Sequence, residues 1–438
     1  MKLAMLGWEY PPHISGGLGV ACEGLTNALS RRGVEVTFVV PHLYGEESRG
    51  NITLLDASQG SPKLSNAMKT SIQGGLQTIQ IPAFLKPYWS ASEYQSAMTE
   101  EISVEEFFER LGFAREDSGR PQAKAQPKAH YGRSIFDEVD RYALNVMARL
   151  AEETFDIVHA HDWMTFPAGI TLAATTGKPL IVHVHSLEFD RSGEFGDPKI
   201  HAIEYAGLQA ATRIIAVSHF TKRLIHERYD VPLDKISVIH NGTYQSKIRR
   251  QNRDDLGHNN KRIVLFLGRV TMQKGPEYFI EAAKKVLSHV PDVMFVMAGS
   301  GDQLDRMVES VRESGLKEHF FFTGFLKKDE VEKMFSIADL YVMPSVSEPF
   351  GIAALEAINY EVPVIISKQS GVSEVIRHAL KVDFWDTDRM ADLIINVLLH
   401  PELSSNLLEM SQRELSSLHW ESAAAKADEV YQEIISRG

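Results

Sequence analysis

Residues 2–29, KLAMLGWEYPPHISGGLGVACEGLTNAL, place a short apolar run, a glycine-containing turn and an apolar helical pattern in direct succession. The run Lys2–Gly7 predicts a first buried strand, and the pattern that continues through Leu29 predicts a helix after it. A glycine turn between a strand and a helix lets a ligand approach the backbone amides at the positive end of the helix. Gly16 and Gly17 are therefore candidate ligand-binding positions.

The same alternation of apolar runs and helical patterns continues along the chain. Many of the runs are rich in Val and Ile without polar alternation, which is typical of parallel strands buried on both faces. Amphipathic segments such as Glu277–His289 and Glu330–Ile337 separate them. We therefore expect an α/β fold built on parallel sheets with right-handed crossovers. The predicted strands are Lys2–Gly7, Val34–Pro41, Asp156–Asp162, Leu180–Ser186, Arg213–Ser218, Ile236–Gly242, Arg262–Arg269, Val293–Gly301, Phe320–Leu326, Leu340–Ser345 and Val364–Ser367.

The length of 438 residues predicts two large domains rather than one. The best boundary lies between Thr243 and Lys261, where the sequence is polar and has almost no core-forming residues. A second irregular segment, Arg115–Arg133, is rich in Gln, Lys, Ala, Gly and Pro. It is interpreted either as a functional lid or as a tolerated surface insertion, since long loops in compact domains are often functional.

Composition excludes several classes of protein. The 46 basic and 58 acidic residues give a net charge of −12, which argues against a nucleic-acid binder. The single cysteine, Cys22, rules out a disulfide within the chain and a thiolate-rich metal site. The first apolar run is too short for a signal peptide, and no stretch approaches the ~20 apolar residues that span a bilayer. We expect a cytoplasmic protein without an integral membrane segment, and peripheral membrane contact stays open.

A nicotinamide dehydrogenase is the obvious rival explanation of the first glycine turn. Read from Gly17, the pattern is Gly-x-Gly-x-x-Cys, with Cys22 where a small glycine or alanine is wanted. The second predicted strand ends at Pro41 and His42, where an acidic ribose ligand would be expected. Both features argue against this class.

Two cations follow the first predicted strand of the second half. Gly268-Arg269 closes that strand, and Lys274-Gly275 follows five residues on. An arginine fork and a lysine ammonium at the carboxyl end of a parallel strand can together hold a diphosphate. A solvated loop with two surface cations is the alternative.

The most specific motif is PSVSEPFGIAALEA, residues 344–357, in which Glu348 and Glu356 stand eight residues apart. If a helix begins near Gly351, its first free amides form a natural seat for a phosphate. Glu356 lies in an otherwise apolar stretch, where a carboxylate without a partner is costly to bury. One carboxylate can then bind a sugar and the other a ribose diol.

Two further motifs could suggest metal binding. His159 and His161 share one face of a predicted strand, and His183 and His185 repeat the pattern, but no convincing third ligand is evident. A polar site wall is the favoured interpretation. Asp386 and Asp388 directly precede a helical pattern, so a helix N-cap is favoured over a metal-binding Asp-x-Asp motif.

Together these motifs resemble the retaining glycosyltransferases of the GT-B fold, family 4 (glycosyl transferases group 1), in particular the bacterial and archaeal glycogen synthases and the sucrose-phosphate synthases. The opening is similar to the glycogen-synthase pattern at six positions, and the His-x-His-Asp-Trp, Gly-Arg-x4-Lys-Gly and Glu-x7-Glu segments are similar to further family motifs. The six positions are Gly7, Glu9, Pro12, Gly16, Gly17 and Leu18. The resemblance implies two Rossmann-like domains that face each other across a cleft. Residues 1–245 would form the acceptor-side domain, residues 246–420 the donor-binding domain, and residues 421–438 a helix crossing back to the first domain.

The resemblance also assigns roles to individual residues. His161 would lie near the donor sugar, Arg269 and Lys274 would clamp the diphosphate, and Glu348 would hold the sugar hydroxyls; these four would be the catalytic residues. The remaining donor contacts would be Gly16 and Gly17 at the diphosphate, Phe350, Gly351 and Ile352 around sugar and phosphate, and Glu356 at the ribose. The implied substrates are a nucleotide-diphosphate sugar and a saccharide or glycoside acceptor. No metal or other cofactor is implied.

Two departures bear on the substrate. Ile14 occupies the lysine position of glycogen synthases, and Thr243-Tyr244 stands where the family commonly has Val or Ile followed by Asp. The first departure weakens the glucan-synthase interpretation, so we expect transfer of a hexose, glucose first of all, with glycogen extension as one candidate. A nucleotide-sugar 2-epimerase of the same fold and a catalytically silent nucleotide-sugar-binding protein are the alternatives.

Overall fold

A computed structural model describes residues 1–11, 16–42, 52–53, 76–80, 135–150, 153–244 and 261–437, with the backbone alone for 52–53 and 76–80. These residues form two compact units. One unit contains the described residues up to Tyr244 together with those from Ser417 onward, and the other contains residues 261–416. Ile14, the Arg115–Arg133 segment and most of the polar stretch before Lys261 lie outside the described residues.

The first unit is built on an eight-stranded parallel sheet of order β3-β4-β2-β1-β5-β6-β7-β8. Its strands are β1 (Lys2–Leu6), β2 (Glu35–Val40), β3 (Ile52–Thr53), β4 (Leu76–Gln80), β5 (Ile157–His161), β6 (Leu180–Val184), β7 (Arg213–Ala216) and β8 (Ile236–Val238). Its described α-helices are Gly17–Arg31, Ile135–Leu150, Phe166–Thr176, Glu188–Ser192, Pro198–Ala210, His219–Tyr229 and Trp420–Arg437.

The second unit is built on a six-stranded parallel sheet of order β11-β10-β9-β12-β13-β14. Its strands are β9 (Arg262–Leu267), β10 (Val293–Ala298), β11 (Phe320–Gly324), β12 (Leu340–Met343), β13 (Val364–Ser367) and β14 (Leu380–Val382). Its described α-helices are Pro276–Leu287, Leu304–Glu313, Lys328–Ile337, Ile352–Asn359, Thr387–Leu399 and Pro401–Leu415.

The predicted α/β class with parallel sheets is confirmed. All eleven apolar runs contain strands, and the amphipathic segments at Glu277 and Glu330 lie in helices. Three strands were not predicted, namely β3, β4 and β14. The sequence of β14, Leu-Lys-Val, is too short and too polar to stand out as a buried run, and only its Val382 is buried.

Alternate residues of the first sheet face different surroundings, because successive side chains of a strand point to opposite faces. In β5, Val158 and Ala160 belong to an apolar core with the helices Ile135–Leu150 and Phe166–Thr176. His159 lies on the other face, where its ring is hydrogen-bonded with Tyr431 of the last helix. His159 is therefore buried against this helix.

The last helix, Trp420–Arg437, packs against the first helix, Gly17–Arg31, within the first unit. Trp420 is buried directly over Gly24, where a Cβ atom would lie only 2.1 Å from the indole ring. Arg31 and Glu421 form a salt bridge beside this contact, at 2.5 Å. The close approach of the two helices depends on the missing side chain at residue 24.

We expect Gly24→Ala to destabilise the protein by about 1–3 kcal/mol, because the added methyl group collides with a rigid indole ring. An ordinary Gly→Ala change inside a helix would instead stabilise by up to about 1 kcal/mol. Chemical denaturation of the two chains measures the difference. Combining Gly24→Ala with Trp420→Leu should recover much of the loss, since the two sites are in contact. A Gly24→Ala chain more stable than the parent would contradict this packing argument.

Candidate functional site

The predicted site residues fall into two groups, one in each unit. Gly16, Gly17 and His161 lie in the first unit. The second unit contains the larger group, which comprises Arg269, Lys274, Glu348, Phe350, Gly351, Ile352 and Glu356.

In the second unit, the loops after β9 and β10 are packed backbone against backbone. Gly268 directly follows β9 and has a φ of 154°. A Cβ atom at Gly299, after β10, would lie 1.8 Å from the carbonyl oxygen of Gly268. Only glycine fits at residue 299, and the neighbouring Arg269 is thereby placed at the carboxyl edge of the sheet.

Gln273 connects Arg269 to the loop after β12. Its side-chain Oε1 accepts a hydrogen bond from Nη2 of Arg269 at 3.1 Å, and its backbone carbonyl accepts from the amide of Val346 at 2.9 Å. Gln273 is 2% exposed. Gln273 was not predicted from the sequence. The one feature that could have indicated it is its position between the two cations of the Gly-Arg-x4-Lys-Gly motif.

Lys274 and Glu348 form an ion pair. The Nζ atom of Lys274 lies 2.5 Å from Oε2 of Glu348, and the hydroxyl of Ser345 donates to the same oxygen at 3.2 Å. The Lys274 side chain is 22% exposed and that of Glu348 is 8% exposed. The structure thus brings together the residue predicted to hold phosphate and the residue predicted to hold the sugar.

The Glu-Pro-Phe-Gly segment is fixed through its backbone. The amide of Glu348 donates to the carbonyl of Gln369 at 2.9 Å, and the carbonyl of Glu348 accepts from the amide of Gly371 at 2.9 Å. The carbonyl of Phe350 accepts from the amide of Val372 at 2.6 Å. These bonds hold the segment in one conformation in front of the following helix.

Gly351 is the N-cap of the helix Ile352–Asn359, which confirms the predicted helix start. Its φ of 107° lies in the region that favours glycine. The cap has no side chain that could occupy the first helical amides. The amino end of this helix is therefore suited to an anionic group.

Glu356 lies in the second turn of this helix and is partly buried. Desolvation raises the pKa of Glu356 to about 7, Lys328 opposes this rise and Glu332 adds to it. Tyr341 of β12 is buried close to the carboxylates of Glu348 and Glu356. Burial raises the pKa of its phenol, and the two nearby negative charges raise it further. Near neutral pH, Glu356 therefore exchanges between the neutral and the ionised form.

In the first unit, Gly16 is the N-cap of the helix Gly17–Arg31, and no atom of the described residues lies within 4 Å of where its Cβ would stand. Oε1 of the buried Glu9 accepts from the amide of Gly19 at 3.1 Å. A carboxylate thus occupies part of the helix end where the glycine motif predicts phosphate. Glu9 is part of the sequence motif, but no role was predicted for it. A helix cap supplied from ten residues away has no local sequence signal.

His161 ends β5 and is completely buried. Its Nδ1 is hydrogen-bonded with Nε2 of His185 at 2.9 Å, and its ring stacks on those of His159 and His183 with centroids 4.4 and 5.1 Å away. Burial lowers the pKa of His161 well below its usual value, and His159 and His185 lower it further. The ring is therefore neutral at physiological pH.

Asp162 fixes the chain directly after His161. Its φ of 59° is unusual for a residue other than glycine. Its Oδ1 accepts from the amide of His185 at 2.7 Å and from that of Ser186 at 3.3 Å. Burial raises the pKa of Asp162 to about 7, against the lowering effect of Arg191 and of these two hydrogen bonds. Asp162 thus joins the carboxyl ends of β5 and β6.

The other predictions concern capping and the membrane. Oδ1 of Asp386 accepts from the amide of Arg389 at 3.0 Å, so the predicted N-cap is confirmed. Among the described residues, no helix is both long and apolar enough to cross a membrane.

Several known proteins are similar to this chain in sequence or in fold. Residues 248–413 match the family described as Glycosyl transferases group 1, and residues 113–245 match Glycosyltransferase Family 4. An uncharacterized glycosyltransferase of Methanocaldococcus jannaschii is 30% identical over 392 residues, which cover 86% of this chain and 83% of that protein. The glycogen synthase of Mycobacterium tuberculosis is 23% identical over 98% of this chain and 94% of its own length.

Among solved structures, the sucrose-phosphate synthase of Thermosynechococcus elongatus has a TM-score of 0.73 at 19% identity, with all of both chains covered. This likeness shows a shared fold. With the family matches and the Methanocaldococcus relative, it shows that the chain is a member of the glycosyltransferases of group 1 and family 4, a transferase of the GT-B fold.

Proposed function

We propose that this glycosyltransferase moves a hexose from a nucleotide-diphosphate sugar to a saccharide or glycoside acceptor, with retention of anomeric configuration. The observation that carries the proposal is the Lys274–Glu348 ion pair in front of the open helix end at Gly351. A cation and a carboxylate meet here at the carboxyl edge of one parallel sheet, next to a helix whose first amides receive no hydrogen bond from a capping side chain. A sugar diphosphate needs these three kinds of partner.

The leaving nucleoside diphosphate is the group that needs stabilisation. In the proposal, Arg269 and Lys274 bind its phosphates and offset the negative charge that develops as the glycosidic bond breaks. Two fixed cations can supply this stabilisation without a metal or another cofactor. Donor binding would draw the ammonium of Lys274 toward phosphate and free Glu348 to accept hydrogen bonds from sugar hydroxyls, with Phe350 and Ile352 beside the sugar.

Glu356 is proposed to bind the ribose. An ionised carboxylate accepts two hydrogen bonds from the vicinal hydroxyls, and such charge-assisted bonds are the stronger kind. The raised pKa of about 7 means that part of the protein carries the neutral acid at physiological pH. The donor should therefore bind preferentially to the protein in which Glu356 is ionised.

His161 is proposed to contact the donor sugar, and Gly16 and Gly17 the diphosphate, as the family resemblance implies. A neutral imidazole can donate a hydrogen bond to a hydroxyl without adding charge near the reacting carbon. Because His161 is 0% exposed, a donor reaches it only if the groups that cover it move.

Glucose is the proposed sugar, and an oligosaccharide or small glycoside is the proposed acceptor. The glycogen synthase relative, similar over 98% of this chain, favours an α-glucosyl transfer. Ile14 argues against glycogen itself, because an apolar side chain cannot replace the charge of the lysine that glycogen synthases have there. We also propose that the protein is cytoplasmic.

An acceptor panel tests the reaction class. We expect release of nucleoside diphosphate from a glucose donor to rise when maltooligosaccharides or small glycosides are added, with little response to glycogen. Nuclear magnetic resonance of the product gives the anomeric configuration. An epimerase would convert the donor without any response to acceptors, and a silent binding protein would release nothing. Either result would overturn the transferase mechanism proposed here, and efficient glycogen extension would overturn the argument from Ile14.

We expect Arg269→Ala and Lys274→Ala each to reduce kcat by roughly 100- to 1,000-fold, which corresponds to about 2.7–4 kcal/mol of lost transition-state stabilisation. Steady-state kinetics at saturating donor measures the loss. Lys284→Ala is the matched control, since the ion pair of this lysine among the described residues is with Glu281 of the same helix. Thermal unfolding should show that all three variants fold. Near-parental turnover in either site variant would contradict the clamp.

We expect Glu356→Gln to raise the donor KM by roughly tenfold or more while kcat changes little, because the ribose contact is equal in ground and transition states. In the parent protein, donor KM should fall as pH rises through about 7, since the ionised carboxylate is the better acceptor. The Gln variant should lose this pH dependence.

Glu332→Gln is the matched control for this pH dependence. Glu332 contributes to the raised pKa of Glu356, so its loss should shift the parental KM profile to lower pH and leave the limiting KM at high pH unchanged. Initial rates measured across a pH series give both quantities. If donor KM depended on pH in the same way in the parent and in Glu356→Gln, the pH dependence would not arise from Glu356.

A further inference from the structure

His161 and His185 form a hydrogen-bonded pair of imidazoles in the first unit. His161 ends β5, and His185 directly follows β6, the neighbouring strand. Nδ1 of His161 lies 2.9 Å from Nε2 of His185, the ring centroids are 5.2 Å apart and the ring planes differ by 27°. The centroid separation exceeds the distance between the nitrogens by nearly the full reach of each nitrogen from its own ring centre. The rings therefore meet edge to edge, with the hydrogen bond close to the plane of both.

The backbone of Asp162, directly after His161, is strained. Its φ of 59° and ψ of 168° belong to a region that residues other than glycine hardly occupy. Its Oδ1 accepts from the amides of His185 and Ser186, and its own amide donates to the carbonyl of His183 at 3.0 Å. Strain of this kind persists only where the surroundings fix it, and it is concentrated at functional sites. Asp162 thus holds the backbone of His185, while the side chain of His185 holds the ring of His161.

Two further contacts restrict His185 and the loop that follows it. The ring of His183 stacks on that of His185, with centroids 4.2 Å apart and an interplanar angle of 23°. Nη1 of Arg191 donates to the carbonyl of Ser186 at 3.2 Å, and Nε of Arg191 is paired with Glu188 at 3.0 Å. The His185 ring is therefore held by a second ring, and its loop by the guanidinium group.

Only one proton can lie between the two bonded nitrogens. Burial lowers the pKa of His185 to about 3 and that of His161 well below its usual value, so both rings are neutral at physiological pH. A neutral imidazole has one N–H donor and one acceptor nitrogen. If His185 donates its Nε2–H, then Nδ1 of His161 accepts and Nε2 of His161 carries a proton. In the reverse arrangement, Nε2 of His161 carries no proton and can only accept.

Nε2 of His161 is the nitrogen left for a ligand, since it is buried and has no hydrogen-bond partner among the described residues. In the proposed function, on which this inference rests, this nitrogen donates a hydrogen bond to a hydroxyl of the donor sugar. We propose that His185 is a positioning residue, which donates its Nε2–H to Nδ1 of His161 and so keeps a proton on Nε2 of His161. A bond at one ring nitrogen sets the tautomer in this way. Asp162 in turn holds His185 in place.

Nitrogen NMR of the full chain, labelled with ¹⁵N-histidine, tests the tautomer without reference to activity. The two ring nitrogens of a neutral histidine differ widely in chemical shift, according to which one carries the proton. We expect the proton on Nε2 in both His161 and His185, with the signals assigned from their loss in His161→Gln and His185→Gln. A parent protein in which His161 carries its proton on Nδ1 would overturn the proposal.

Turnover should depend on the N–H group at residue 185 more than on the shape of the side chain. His185→Phe keeps a flat ring but cannot donate, so it should reduce kcat at saturating donor by roughly 10- to 100-fold, as small misplacements at a reacting centre do. His185→Gln places an amide N–H where Nε2 of the histidine lies and should retain most of the parental kcat. Parental turnover in His185→Phe, or an equal loss in both folded variants, would contradict the positioning role.

Asp162→Gly guards against variants that fail to fold. Glycine adopts the strained backbone conformation readily, so the chain should fold while His185 loses its carboxylate anchor. We expect kcat and the Nδ1 signal of His161 to change in the same direction as in His185→Phe, and parental values of both would overturn the role of Asp162. Near-parental kcat in His161→Gln would instead contradict the role of His161 in the proposed function. Because the tautomer is measured independently of turnover, the two failures are distinguishable.

Discussion

The ion pair between Lys274 and Glu348 is the constraint on which the second unit depends. Both charges are largely removed from water, and a buried charge without its partner costs several kcal/mol. The lysine lies on the loop after β9, while the glutamate lies on the loop after β12. These strands are neighbours in the sheet although their sequences are some eighty residues apart. The pair can form only when the parallel sheet has brought the two loops to one edge. The site therefore forms only when the sheet is correctly assembled.

The backbone around this pair leaves little freedom for the two side chains. Gln273 accepts hydrogen bonds from Arg269 on its own loop and from Val346 on the loop after β12, and the Glu348–Phe350 segment is bonded to residues after β13. Preorganised charges and amides stabilise a developing negative charge without the cost of reorienting at the moment of reaction. In the proposed function the backbone stays in place when the donor binds, and only the ammonium of Lys274 moves from Glu348 toward the diphosphate.

The features predicted from the sequence are those determined by residues close together in the chain. Eleven strands, the helix start at Gly351 and the cap at Asp386 follow from local apolar runs, from a glycine and from an aspartate before a helix. The features that escaped prediction arise from packing between distant segments. Glu9 caps the helix that begins at Gly17 across the turn, and Tyr341 lies beneath two carboxylates that the sequence places on a loop and a helix. His161 is likewise bonded to His185, which follows β6, and its local motif does not encode that neighbour.

The two units bury polar side chains in different ways. In the second unit, the charges of Lys274 and Glu348 compensate each other. In the first, the histidines are neutral and several of their nitrogens are not compensated by any described group. Apolar side chains of similar size at His159 and His183 would avoid that cost, as Val158 and Val182 do on the opposite face. The hydrogen bonds of His159 with Tyr431 and of His161 with His185 offset part of this cost. His161 and His183 are paired in the sheet register and lie at the same level, while His159 lies two residues deeper along β5, where the hydroxyl of Tyr431 is its partner.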